Sequence, residues 1–131
     1  MFCRDGLKCF AKIPVKNIRA CLEEIECQRA LLRRARPASK SARILARELD
    51  LAARMAAQSC KFMLWQHALA AGDRSTAKRL AKTGIAELTS LERDFNACWP
   101  LRNKATTAKC APFFRWRMTD YRKGVLPVGT R

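Results

Sequence analysis

From Val15 onward, apolar residues return every three or four positions. Ile18, Cys21, Leu22, Ile25 and Leu32 share one side of a helix, while Glu23, Glu24, Glu26 and Arg33 take the other. The pattern predicts an amphipathic helix that runs to Arg36-Pro37, where the proline ring forbids its continuation. PASKSAR reads as a connector, in which Ser39 or Ser41 can cap the next helix by accepting a bond from an unpaired backbone N–H. A second helix is predicted from about Ala42 to Ala71, closed by Gly72 where left-handed backbone is wanted. At about 1.5 Å per residue it is roughly 45 Å long. Leu45, Leu49, Ala52, Ala56, Met63 and Ala70 keep a seam along it, and Ile44, Leu51, Met55, Phe62 and Trp65 form a second apolar stripe. A helix apolar on two sides must be covered from two directions.

Asp73 and Ser75 are candidate caps for a third helix from about Thr76 to Cys98, with Ala77, Leu80, Ala81, Ile85, Leu88, Leu91, Phe95 and Cys98 inward. Pro100 stops it, because it has no N–H for Asn96 and pushes Trp99 away from helical geometry. After LRNKATTAKCA, Pro112 suits the first turn of a short fourth helix to about Lys123, closed by Gly124. Residues 1–14 lack a clear period and read as an irregular lead-in, and residues 124–131 as a frayed tail. No segment alternates with the period of a strand. The expected fold is therefore all-α: one domain over residues 15–123, an antiparallel bundle of three long helices plus a short C-terminal helix.

Charge changes the picture more than length does. The 131 residues carry 27 Lys and Arg against 11 Asp and Glu, a net of +16. Such a surface attracts nucleic acid, anionic membranes or acidic proteins and repels its own copies. Apolar runs such as CKFMLW fall short of the roughly 20 residues a membrane span needs, and the N-terminus has no secretory pattern, so a cytoplasmic protein is expected. Cys21, Cys27, Cys60 and Cys98 lie in helical patterns and are expected as reduced core residues. The pairs Cys3/Cys9 and Cys21/Cys27 are spaced too widely for a zinc knuckle and His67 is the sole histidine, so no metal site is expected.

Candidate chemistry is sparse. The carboxylates are expected on solvated helix faces beside basic neighbours, as with Glu48 near Arg47 and Glu92 near Arg93. His67 has no nucleophile within reach, Cys60 being two turns away, and the glycines are isolated rather than gathered in a phosphate loop. No catalytic residue, cofactor or small-molecule substrate is expected. Two segments are strongly basic. Between Arg29 and Arg47 there are seven Lys or Arg and no acid. Between Phe95 and Thr119 there are five, interleaved with Trp99, Phe113, Phe114 and Trp116. Alternating bases and aromatics can grip phosphates and stack on nucleobases. The same aromatics can instead fill the core beside the fourth helix, which is the expected outcome for Phe113, Trp116 and Met118.

Taken in order, IRACLEEIECQRALLRRARP, ARELDLAARMAAQSCKFMLWQHAL and ELTSLERDFNACWPLRNKATTAK resemble the C-terminal helical region of bacterial family 20 glycoside hydrolases, the β-N-acetylhexosaminidase type. Glu48, Leu49, Ala52, Ala53, Met55 and Cys60 match one helix of that region; Phe95, Trp99, Arg102 and Asn103 match a helix ending in Trp followed by Arg-Asn. The chain departs from the pattern at Pro100 and after Lys104, where Ala105, Thr106 and Thr107 follow. It also lacks the Asp-Glu pair and the barrel through which that family works. The resemblance implies a non-catalytic accessory or remnant domain that packs on a partner domain or on itself. Trp99, Arg102 and Asn103 would form the interface, with Trp65 and Phe62. The alternative is a small basic nucleic-acid-binding protein using Arg33, Arg34, Arg36, Lys40, Arg43 and Arg47 as phosphate contacts.

Overall fold

The computed structural model describes residue 10, residues 12–103 and residues 106–124. The lead-in up to residue 9, with the Cys3/Cys9 pair, Ala11, Lys104, Ala105 and the tail beyond residue 124 lie outside the described residues. Among those described there is no strand. Three long helices, α1 (Val15–Arg34), α2 (Lys40–Ala70) and α3 (Arg74–Cys98), are followed by a shorter, bent C-terminal element: a single turn, Thr107–Cys110, leading through Ala111 into α4 (Pro112–Lys123).

The boundaries follow from local chemistry. α1 ends at Arg34, two residues earlier than the pattern suggests, because the chain turns extended at Ala35 (ψ 138°) on its way to Pro37. Ser39, not Ser41, caps α2 by accepting from the Ala42 N–H at 3.1 Å. At the far end Gly72 is left-handed (φ 72°), its N–H reaching Leu69 O while the Asp73 N–H reaches Ala68 O. Asp73 then accepts from the Thr76 N–H at 3.0 Å, so one residue closes α2 and opens α3. Trp99 differs from expectation: although it precedes Pro100 it keeps helical dihedrals (φ −54°, ψ −46°), and α3 tightens into a 3₁₀ turn over Trp99–Leu101 instead of breaking.

Cross-helix contacts fix the topology. Arg29 meets Asp50 and Cys21 meets Cys60, so α1 and α2 run antiparallel. Lys61 meets Glu87 and Arg54 meets Asp94, which makes α2 and α3 antiparallel in turn. Arg115 meets Glu92, and Tyr121 lies against Gly84, giving the same relation for α3 and α4. α2 is the central helix, with α1 on one flank and α3 on the other. The core runs through Phe62, Trp65, Leu88, Leu91, Phe95, Phe114, Met118 and Tyr121.

Three readings of the sequence are corrected here. The buried stripe of α2 is the one carrying Phe62 and Trp65, whereas the seam from Leu45 through Leu49, Ala52 and Ala56 faces solvent, Leu45 and Leu49 being 48% and 50% exposed. Both stripes are apolar, and only the position of the neighbouring helices decides between them. Cys21 and Cys27 are exposed, unlike the buried Cys60 and Cys98, because α1 is covered along one narrow face whose single fully buried residue is Ile18. Five of the described carboxylates, finally, bridge distant parts of the chain. Asp50, Glu87, Glu92 and Asp94 each pair with a cation of another helix, and Glu48 with Arg102 just past α3.

One of these pairs yields a pH prediction. Arg54 donates to Asp94 at 2.6 Å and to Ser90 at 3.0 Å, and this bond holds the Asp94 carboxyl below its ordinary range. A depressed carboxyl binds fewer protons in the folded state than in the unfolded chain. Its contribution to stability is therefore present above the unfolded value of about 4 and is lost as pH falls through the folded one. Urea midpoints should drop between pH 6 and pH 3 less steeply in Arg54→Met than in the native chain; equal slopes would remove this pair from the account.

Candidate polyanion interface

The six basic residues of the first charged segment gather at one end of the molecule. Glu48 of α2 already lies opposite Arg102, which is past the last residue of α3. Residues 40–47 of α2 therefore run on beyond α3, with the end of α1 alongside, because Arg29 is opposite Asp50 and Arg33 and Arg34 lie one turn further on. The result is a projecting tip made of the α1–α2 connection. Arg33, Arg34, Arg36, Lys40, Arg43 and Arg47 are all exposed on it. Among the described residues none of the six forms an ion pair; the Arg43 guanidinium donates only to the Ala38 carbonyl, at 3.1 Å.

A row along α2 explains why this end is uncompensated. Lys40, Arg47, Arg54 and Lys61 recur every seven residues and so lie on one side of the helix. The inner two face α3 and are neutralised there, Arg54 by Asp94 at 2.6 Å and Lys61 by Glu87 at 2.6 Å. Where α3 has ended, Lys40 and Arg47 continue the row, and among the described residues neither pairs with a carboxylate. The sequence carries this signal as a heptad of cations set against the acids of the third helix, but it becomes legible only once the register of α2 on α3 is known.

The other predicted interface residues are used within the chain. Phe62 and Trp65 are 4% and 1% exposed and belong to the core of the chain itself. Trp99 is half-buried and stacked on Phe95, with ring centroids 5.0 Å apart. Arg102 binds Glu48 at 2.9 Å, tying the end of α3 to α2. Asn103 donates both its backbone N–H and its side-chain amide to the Trp99 carbonyl, each at 3.1 Å. The Arg-Asn pair thus closes α3, Asn103 through the Trp99 carbonyl and Arg102 through the Glu48 carboxylate.

The aromatic residues of the second basic segment mostly turn inward. Phe114 is fully buried, Phe113 packs on it at 4.0 Å between centroids, and both meet Phe95 edge-on. Trp116 alone is turned outward, at 51% exposure, against the expectation that it packs; a short amphipathic helix covered from one side cannot bury the ring opposite Phe114. His67 is half-buried in α2. A cleft of about 260 Å³ between α1, α2 and α3 is lined by Arg29, Arg54, Lys61, Glu26 and Glu87; Lys61 and Glu87 pair across it, Arg29 pairs with Glu26 within α1, and Arg54 with Asp94 of α3. Among the described residues no group of three or more His, Cys, Asp or Glu is placed to hold a metal ion, and no helix is long and apolar enough to cross a membrane.

No family model, curated protein or solved structure matches the chain.

Proposed function

We propose that this chain is a non-catalytic helical module that binds polyanions through the α1–α2 tip, with nucleic acid as the ligand class. The observation that carries the reading is the cationic row of α2, satisfied by acids of α3 at Arg54 and Lys61 and left open at Arg47 and Lys40. Arg33, Arg34, Arg36 and Arg43 add charge around it. Phosphate oxygens are the natural counterpart of such a cluster. Neutralising them releases condensed counterions, a driving force that requires no pocket and no base-reading side chain.

The test is fluorescence anisotropy of a labelled duplex and a labelled single strand against the purified chain across a salt series. Binding whose logarithm falls linearly with log salt, by roughly 10³-fold between about 50 and 200 mM, is expected for six phosphate contacts. Absence of binding at low salt would refute the reading.

A second reading is favoured by the exposed seam of α2. Leu45 and Leu49, with Ala52 and Ala56, present an apolar strip that nothing among the described residues covers. Under this reading the chain is an accessory module packed on a partner domain, the role implied by its resemblance to the helical region of family 20 enzymes. The strip, rather than Trp99 or Trp65, would be the contact surface. Association that survives high salt and disappears in Leu45→Glu/Leu49→Glu would select this reading over the first.

A further inference from the structure

We propose that Cys21 and Cys60 form an oxidisable pair, a site at which a hydroperoxide drives a disulfide between α1 and α2. Of the described cysteines, these two come together across a helix interface: the Cys60 thiol donates to the Cys21 sulfur at 3.9 Å. Their environments are unequal in a useful way. Cys21 is exposed at the margin of the buried face of α1, where a small oxidant reaches it from solvent, while Cys60 is 5% exposed and lies directly behind it. Burial, reinforced by the neighbouring Cys21 sulfur, pushes the Cys60 thiol up to about 11, so it keeps its proton at neutral pH. Cys21 is the sulfur that meets the oxidant, and Cys60 is the one that resolves the product.

The chemistry closes without further reagents. The Cys21 sulfur attacks hydrogen peroxide; an S–O bond forms, the O–O bond breaks, and the departing hydroxide takes the Cys21 proton and leaves as water, giving a sulfenic acid. The Cys60 sulfur then attacks the Cys21 sulfur. The S–S bond forms, the S–O bond breaks, and the departing hydroxide takes the Cys60 proton and leaves as water. Two thiols have then lost two hydrogens and two electrons, and one peroxide has become two waters. Forming the bond brings the two sulfurs from 3.9 Å to the bonded length of about 2.05 Å. The consequence is structural. α1 has one fully buried residue, and the bond would fasten it to the central helix one turn beyond that residue, Ile18.

The test uses the full chain, treated with stoichiometric hydrogen peroxide, alkylated under denaturing conditions and digested with trypsin. The expected product is monomeric and lighter by two hydrogens, with the peptide of residues 20–29 joined to that of residues 55–61. It persists in Cys27→Ser, which removes the other thiol of the first peptide, and is absent in Cys21→Ser. The oxidised chain should also melt at a temperature roughly 10 °C above the reduced chain, a shift reversed by dithiothreitol. If peroxide instead carries Cys21 on to sulfinic or sulfonic acid, or yields only disulfides between chains, the proposal is overturned. Cys21 is exposed, so its serine variant should keep the helical circular dichroism of the native chain.

Discussion

Tyr121→Ala is expected to lower stability by about 3–5 kcal/mol, the largest effect of any single substitution considered. The side chain is 2% exposed although it belongs to the last and shortest of the main helices. Its ring reaches from α4 across α3 to α2, meeting Phe62 and Trp65 edge-on with centroids 5.2 and 5.0 Å away. Its hydroxyl accepts a hydrogen bond from the buried Gln58 amide at 2.9 Å. Removing it opens a cavity between three helices and leaves the Gln58 amide without its bond, and α4 loses its anchor. Because a domain of this size is stable by about 5–15 kcal/mol in total, the variant should melt some 10–20 °C earlier, as read by helical circular dichroism. Tyr121→Phe separates the two parts: it keeps the ring and strands the amide, at about 1–2 kcal/mol. The same contact can be broken from the other side. A Cβ at Gly84 would lie 2.6 Å from the Tyr121 ring, which cannot retreat because Phe62, Trp65 and Gln58 hold it. Gly84→Ala should therefore destabilise despite the helix propensity it gains, with overpacking of about 1–3 kcal/mol set against a gain of up to about 1. A Tyr121→Ala variant within about 1 kcal/mol of the native chain would show that α4 is not docked as described.

The second large effect concerns binding and should leave the fold intact. Replacing Arg33, Arg34, Arg36, Lys40, Arg43 and Arg47 together by alanine is expected to weaken binding to nucleic acid by roughly 10³-fold at about 50 mM salt, and to flatten the salt dependence by about five units of slope. All six are exposed, and among the described residues none is committed to an ion pair, so the melting temperature should scarcely move. Alanine also suits the helical positions. A control variant, Arg74→Ala/Lys78→Ala/Lys82→Ala, removes charge from the opposite end, at the start of α3. It should lose only the small share expected from net charge. If the control weakens binding as much as the tip variant does, attraction is diffuse and the tip is not a site.

Helix number, order and caps were legible in the sequence because they are set locally. Pro37, Gly72, Pro112 and Gly124 fix backbone geometry wherever they occur, and Asp73 caps whatever follows it. What was not legible depends on register. Two apolar stripes of α2 compete on equal terms in the sequence, and the seam with the more regular spacing is the one left in solvent. Nothing within residues 42–71 says that α3 and α4 approach from the Phe62 side. The carboxylates were misread for the same reason: Glu48 is adjacent to Arg47 in sequence, yet its partner is Arg102, 54 positions away. The basic tip lies between these cases. Its composition is plain from residues 29–47, but its lack of ion pairs among the described residues follows only from α3 ending before it reaches Glu48. As for Arg102 and Asn103, the sequence marked them as unusual, and the fold gives them the task of closing α3.

The central claim is that an anion binds at the tip and nowhere else on this basic surface. Amide chemical-shift mapping of the labelled chain during titration with a short duplex at low salt tests it most directly. The account predicts shifts concentrated over residues 31–47, fading toward Arg54 and Lys61, whose charges are already paired with α3. Shifts centred on Trp116 and α4, or spread evenly over every basic helix face, would contradict it.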